Sequence, residues 1–316
     1  MKLIITIDTE EDNWGEYSPR GATLGNIERI PYLQSLFDSF GVKPTYLITY
    51  PVAINKNAIT ILKGIYEDDG CEIGTHLHPW NTPPFEEETN EYNSMLCNLS
   101  ADLQYKKLKY LHETIRNNFA ITPTCFRTGR WGYSDDVGRN LNKLGYKVDT
   151  SMTPYTNWTS SYGPDFSDVG PGPFRIPGDL ISAKSSRGHI MELPATVGFL
   201  QENFQFCNFV LKNVKRRPFK YLGLVGMLYN LNIVNKVWLS PEVSDGETMI
   251  KLAKRLIKNN YPFLNMVFHS STLKAGLTPF VQTDDDERRF FQHIKEFLVF
   301  IRDAKIESIK LSDILK

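Results

Sequence analysis

Four carboxylates, Asp8, Glu10, Glu11 and Asp12, follow within five positions on the apolar run Leu3 to Ile7. An apolar run of that length reads as a buried strand, and a buried strand that ends in acid has two ordinary uses. It opens into a solvated loop, or it presents carboxylates that bind a cation or move protons. A second segment, His76-Leu77-His78, also ends an apolar run. Alternate residues of a strand share a face, so the two imidazoles would point to one place, as metal ligands often do. Further along, Arg127, Arg130 and Trp131 close the run Thr-Cys-Phe-Arg-Thr-Gly, Asp149 closes another, and His269 closes Phe-Leu-Asn-Met-Val-Phe-His-Ser. His112 and His293 sit inside helical patterns among charged neighbours and read as ordinary surface or packing residues.

The elements that would carry these groups alternate. Strand patterns at 3–8, 44–50, 71–76, 124–129, 146–152, 189–196, 236–242, 263–270 and 306–315 are separated by amphipathic helix patterns at 26–40, 57–69, 100–119, 135–145, 247–260 and 285–304. Gly41 and Gly70 follow two of those helices, and Ser100 stands where a cap is needed for a third. Such alternation specifies a parallel α/β sheet or barrel. In a parallel barrel the groups that do chemistry sit at the C-terminal strand ends. Five strand ends put His, Asp, Glu or Arg on that one rim, and their convergence is more informative than any single cluster. Trp14, Trp80, Trp131 and Tyr133 fall on the same rim loops, where aromatic faces could stack on sugar rings.

Two stretches interrupt the rhythm: a Pro-, Gly-, Ser- and Tyr-rich loop excursion at 153–188 and a helical insertion at about 200–235. The chain of 316 residues is read as one domain carrying both. Lys plus Arg equals Asp plus Glu at 36 each, so no basic field advertises nucleic acid as a partner. Cys71, Cys97, Cys125 and Cys207 show no metal-type or disulfide spacing, the first strand begins at Leu3 without a leader pattern, and no apolar stretch has membrane-spanning length. These features predict a soluble, cytoplasmic protein. The insertion combines basic residues with an apolar stretch over 212–229, which reads first as a helix with one packed face. Its other reading is a surface for peripheral membrane contact.

Taken in order, Thr-Ile-Asp-Thr-Glu (6–10), Gly-Thr-His-Leu-His-Pro-Trp (74–80), Phe-Arg-Thr-Gly-Arg-Trp-Gly (126–132), Asp-Thr-Ser-Met-Thr-Pro (149–154) and Phe-His-Ser-Ser (268–271) resemble the motifs of carbohydrate esterase family 4, the NodB-homology polysaccharide deacetylases. The resemblance implies a distorted (β/α) barrel of about seven strands. It departs from the commonest pattern in three places. Thr9 stands where that pattern has a second Asp, which moves the ligand role to Glu10. Only Leu77 separates the two histidines, with Trp80 standing where the farther one would fall. Gly129 replaces a proline.

What the resemblance implies chemically is a divalent ion, zinc in the first instance, held by Glu10, His76 and His78. Asp8 would act as general base, with Arg127 orienting it. His269 would act as the acid that protonates the leaving amine, and Asp149 would keep that histidine charged. Trp80, Arg130 and Trp131 would contact substrate. The implied activity is removal of an N-acetyl group from a sugar of a bacterial surface polysaccharide or of its precursor, free or lipid-linked. An O-acetyl esterase, a non-sugar amidase and a glycan-binding barrel without turnover are the alternatives on the same scaffold.

Overall fold

The first strand, β1 (Lys2–Thr9), shows why the sheet forms: Leu3, Ile4, Ile5 and Ile7 are all fully buried, so both faces of the strand are covered. A strand apolar on both faces belongs inside a parallel sheet layered by helices. The protein is described by a computed structural model covering residues 1–18, 21–176, 190–214 and 224–315. With β1 run β2 (Thr45–Ile48), β3 (Glu72–Leu77), β4 (Cys125–Thr128), β5 (Val148–Asp149), β6 (Met191–Glu192) and β7 (Phe263–His269). All six pairings are parallel, in the order β7-β1-β2-β3-β4-β5-β6. Seven parallel strands in one curled sheet match the expected fold class.

The sheet does not close by a strand ladder between β6 and β7. Three backbone hydrogen bonds span the gap instead: Thr196 N–H to Asn265 O (3.1 Å), Leu239 N–H to Thr196 O (2.8 Å) and Val267 N–H to Leu239 O (3.1 Å). The segment expected as a strand at 236–242 therefore has another role. Only Lys236–Trp238 is extended, and it pairs antiparallel with Val197–Phe199 as a hairpin filling the opening. The expected last strand shrinks to Glu307–Ser308 on the far side of β1, and Phe174–Arg175 adds antiparallel to β6. Within the 153–188 excursion, Thr156–Asn157 and Asp165–Phe166 form a second small hairpin. The rest of that segment from 177 on, with His189 where the 189–196 strand pattern begins, lies outside the described residues.

Helix starts follow side-chain chemistry. The side chains of Asn55, Ser100, Ser134 and Asp245 each accept a backbone N–H at a helix N-terminus, and Thr283 and Asp286 form a reciprocal capping box. The helix expected over 26–40 begins later than its apolar pattern. Gly25–Arg29 is a tight 3-10 turn and the α-helix is Ile30–Asp38, because Pro31 is tolerated only in a first turn. The insertion forms helices Phe204–Val214 and Leu224–Asn230. Among the described residues no helix is long and apolar enough to cross a membrane.

Candidate active site

Register places the chemistry. On β1 and β7, Asp8 and His269 are direct Cα partners, and on β3 and β4 so are His76 and Arg127. Neighbouring strands lie about 4.8 Å apart, so these pairs are side by side before any loop contributes. Arg127 is wholly buried. It donates from Nη1 to Asp8 Oδ1 (2.7 Å), from Nη2 to Thr6 Oγ1 (2.5 Å) and from Nε to the Thr150 carbonyl (3.0 Å). Burial alone would push the Asp8 carboxyl up. The Arg127 charge, with smaller help from His76 and His269, outweighs it and holds Asp8 below the ordinary carboxylate range. Its other oxygen, Oδ2, faces His269 Nε2 at 3.7 Å and His76 Nε2 at 3.9 Å.

Beside Asp8, the ligand atoms of Glu10, His76 and His78 lie within 4.8 Å of one another, and all three residues are buried. The tautomers follow from the far side of each ring. His76 Nδ1 meets the Arg127 carbonyl at 3.1 Å, and His78 Nδ1 meets the Glu11 carboxylate at 3.4 Å. Neither partner can donate, so each Nδ1 carries a proton and the neutral rings present bare Nε2 lone pairs. Those two nitrogens are 2.9 Å apart, with Glu10 Oε2 at 3.7 Å and 3.4 Å from them. Two lone pairs and a carboxylate aimed at one point repel one another unless a proton or a metal cation lies between them.

The proton affinities agree. Burial, with Glu11 and Asp8 adding to it, pushes Glu10 up to about 7. Burial pushes His76 down to about 3, although Asp8 pulls the other way. For His78 burial is outweighed by the Glu11 hydrogen bond and the surrounding carboxylates, which raise it. A neutral ring, a carboxylate hard to ionise and a ring that favours its charged form leave the pocket short of positive charge, which protons or a divalent ion would supply. The donor set therefore fits the metal expected from the sequence, with Glu11 as the outer partner that fixes one ring. Glu11 is itself held by Asn81 Nδ2 (2.7 Å) and Thr49 Oγ1 (3.2 Å), and sits low, at about 2: burial is overcome by His78 and Asn81.

His269 meets a carboxylate, and it is Glu242. The Nδ1 atom lies 3.0 and 3.2 Å from the two Glu242 oxygens, and the His269 backbone N–H donates to Glu242 at 2.8 Å. Burial disfavours a charged His269, but Glu242 and, behind it, Glu10 and Asp8 raise it to about 10. The ring is 24% exposed, so a ligand can reach Nε2, and Trp14 packs edge-on against it at 4.7 Å.

Asp149, expected to support this histidine, does something else. It is the Cα partner of Glu192, accepts the Ser151 hydroxyl at 2.7 Å, and shares a proton with Glu192. Burial, then the Asp149 charge, raises Glu192 well above a normal carboxyl, so Glu192 is the neutral member. Distance along the sheet is not the reason, since the sheet curls and Asn265 Nδ2 on β7 donates to Thr150 Oγ1 at 2.9 Å. The Asp149 carboxyl is taken by Ser151 and Glu192, while the segment after Lys236–Trp238 brings Glu242 directly onto His269. Strand-end position was the signal for Glu242, since the 236–242 pattern ends on it. Its pairing with His269 was not readable because that strand runs in a hairpin rather than in the barrel.

Above the rim lies a cavity of about 580 Å³ lined by Asp8, Glu10, Glu11, His76, His78, Glu242 and His269. The chain has five tryptophans, and Trp14, Trp80, Trp131, Trp158 and Trp238 all line it. Trp158 comes from the 153–188 excursion and Trp238 from the closing hairpin, which sequence patterns did not connect to the site. Trp80 stacks on His78 at 4.2 Å, so its face is partly used in bracing that ring. Arg130 reaches the cavity, but its guanidinium is already engaged by Ser94, by Glu91 (3.5 Å) and by the Tyr17 ring (5.0 Å). Tyr133 is buried against Gly138 and does not line the cavity. Gly129, the departure from the proline, has a steric cause: a Cβ there would lie 2.2 Å from His78 Cδ2 and 2.9 Å from the Leu77 carbonyl.

No family model and no curated protein matches this sequence. Solved structures do. The chain superposes on a putative polysaccharide deacetylase from Mycobacterium smegmatis with a TM-score of 0.53 and 14% identity, covering 99% of this chain and 89% of that one. It superposes on a 4-alpha-glucanotransferase from Thermococcus litoralis with a TM-score of 0.52 and 12% identity, covering all of this chain but 40% of the other. A family 4 acetyl xylan esterase from Clostridium thermocellum, solved with a cobalt ion, aligns at a TM-score of 0.46 and 12% identity over 100% of this chain and 90% of that one. The fold expected from the motifs is shared with the putative polysaccharide deacetylase. Two activities at nearly equal similarity mean that the site, and not the fold, must decide the chemistry.

Proposed function

We propose that the chain is a metal-dependent hydrolase that removes an N-acetyl or other N-acyl group from a sugar. The observation that carries this reading is the convergence of Glu10, His76 and His78 on one point, with Asp8 Oδ2 at 3.9 Å from His76 Nε2 and 3.7 Å from His269 Nε2. Glu10, His76 and His78 would hold a divalent ion, with zinc as the first choice. Bound there, such an ion polarises an acyl carbonyl and acidifies water.

The remaining work falls to side chains. Asp8, kept anionic by Arg127, takes the proton of the attacking water through Oδ2. His269, kept charged by Glu242, directs Nε2–H toward the leaving nitrogen and protonates it as the C–N bond breaks. The five tryptophans supply flat apolar faces for a sugar ring. A barrel that only bound glycan would have no use for an anionic base and a charged acid 3.7 Å apart. A glycan of a bacterial surface polysaccharide, or its precursor, is the substrate we favour, and the four unpaired cysteines suit a reducing compartment such as the cytoplasm.

Asp8→Asn is the direct test. It should retain bound metal while acetate release from N-acetylated sugars falls by about 10²-fold or more. A wild type that holds no divalent ion after purification and reloading would end the metal reading. An Asp8→Asn variant of near-normal rate would remove Asp8 as the base.

A further inference from the structure

The insertion carries an apolar surface that none of the described residues covers. Of the eighteen large apolar side chains exposed among the described residues, seven fall between Phe206 and Ile233. Helix Phe204–Val214 buries Phe204, Cys207, Asn208 and Leu211, a spacing of three and four that marks one face. Phe206 and Phe209 project from the opposite side, 58% and 65% exposed. A helix apolar on both sides belongs in an interior, yet among the described residues this one has protein on one side alone. Helix Leu224–Asn230 buries none of its residues, and Met227, Tyr229, Leu231 and Ile233 stand exposed along and just after it.

Charge narrows the occupant. Between Glu202 and Glu242 the sequence contains no Asp or Glu, while it carries Lys212, Lys215, Arg216, Arg217, Lys220 and Lys236. Residues 215–223 lie outside the described residues, and the apolar face is defined without them. The charge of the insertion is nonetheless fixed by its sequence, in a chain whose acids and bases otherwise balance. Lys212 is paired with Asp168 at 2.8 Å and Lys236 is bonded to the Tyr155 carbonyl at 2.7 Å, and by sequence the stretch that joins the two helices adds four more basic residues and no acid. A second copy of the chain seated on this face would bring two like-charged insertions together, which opposes self-association. Exposed Phe, Met, Tyr and Leu beside Lys and Arg without acid is the composition of segments that lie in the interface of an anionic membrane.

We propose that the face made by helices Phe204–Val214 and Leu224–Asn230 docks on the surface of an anionic lipid bilayer. Of the contact expected over 212–229, the described exposed apolar side chains are Val225, Met227 and Tyr229, and the exposed face adds Phe206 and Phe209 before them and Leu231 and Ile233 after them. The insertion leaves and re-enters the barrel at Phe199 and Lys236, which are Cα partners, and Trp238 two residues later lines the cavity. Docking would therefore tether the wall of the active site, and not a remote appendage.

Co-sedimentation of the full chain with vesicles tests this. Wild type should pellet with vesicles of equal parts phosphatidylcholine and phosphatidylglycerol, much less with phosphatidylcholine alone, and progressively less as salt is raised. The double variant Phe206→Ser/Phe209→Ser should bind the anionic vesicles roughly tenfold or more weakly, since two exposed rings are removed from the contact. Met227→Ser/Leu231→Ser should do the same from the second helix, and both should keep the wild-type unfolding midpoint. Failure of the wild type to pellet with anionic vesicles at low salt overturns the proposal, as does wild-type binding by both double variants. A dimer that both variants abolish, with no vesicle binding, would assign the face to a second copy.

Discussion

Gly129→Ala should uncouple the metal from the fold. The added Cβ would sit 2.2 Å from His78 Cδ2 and 2.9 Å from Nε2, where ordinary contacts begin at 3.4 Å. The ring must therefore retreat by more than an ångström. It has nowhere to go, because Trp80 stacks on it at 4.2 Å and Glu11 holds its Nδ1. Metal ligands tolerate displacements of about 0.2 Å, so the shift removes His78 from the donor set. Loss of an outer partner alone weakens a site by about 10- to 100-fold, and loss of a ligand should exceed that. Titration of the metal-free protein with Zn²⁺ in a competing chelator reads the affinity, and thermal unfolding of both proteins without metal checks the fold. In the double variant Gly129→Ala/Trp80→Ala the ring regains room, so part of the affinity should return. An unchanged affinity in folded Gly129→Ala would refute the reasoning, and so would a double variant no better than the single.

Three further outcomes follow from the same geometry. His269→Ala should suppress release from N-acetyl sugars by about 10²- to 10⁴-fold while sparing an activated aryl acetate, whose leaving group needs no proton; equal loss on both substrates would place His269 in another role. Glu242→Gln removes the charge most responsible for holding His269 at about 10, so the alkaline limb of kcat/KM should move to lower pH, and a superimposable pH profile would exclude that role for Glu242. Glu192 has a folded-state pKa raised above the ordinary value of 4.5. Below that value both folded and unfolded chains hold the proton. Above it only the folded chain must, and stability falls by up to about 1.4 kcal/mol per pH unit until the folded pKa is reached. Glu192→Gln keeps a donor toward Asp149 and should remove that slope, gaining on the wild type from pH 5 to pH 8 in thermal unfolding; a variant less stable at pH 8 than at pH 5 relative to wild type would contradict the shared proton.

Much of this was legible from residue patterns because parallel strands buried on both faces are long apolar runs, and their ends mark the rim. Asp8, Glu10, His76, His78, Arg127 and His269 all occupy the ends of such runs, and the sheet brings them together. Asp149 sits on the same rim, but Ser151 and Glu192 take its carboxyl, a pairing across two strand ends that residue patterns do not reveal. Glu242 was passed over for the related reason that a short antiparallel hairpin looks in sequence like one more barrel strand. Tyr133 turned inward because its turn buries it against Gly138, a contact no local pattern announces. Trp158 and Trp238 reach the cavity from segments that appeared to be decoration, and their place depends on how the opening between β6 and β7 is filled.

That filling has a consequence for how such a chain can change. Phe199 and Lys236 face each other across one rung of the hairpin, so the polypeptide between them departs and returns through the same small doorway. Lengthening or shortening a flexible excursion whose ends are already held together alters chain entropy only slowly, by about 0.6 kcal/mol per doubling. Chain closure therefore sets little limit on the length of what hangs from that doorway, and the demand that remains is the apolar face, Phe204, Cys207 and Leu211, that packs on the core. A lineage could trade the outer faces of the helices there for other surfaces, and with them what the protein docks on, while the rim at the strand ends inherited its register unchanged.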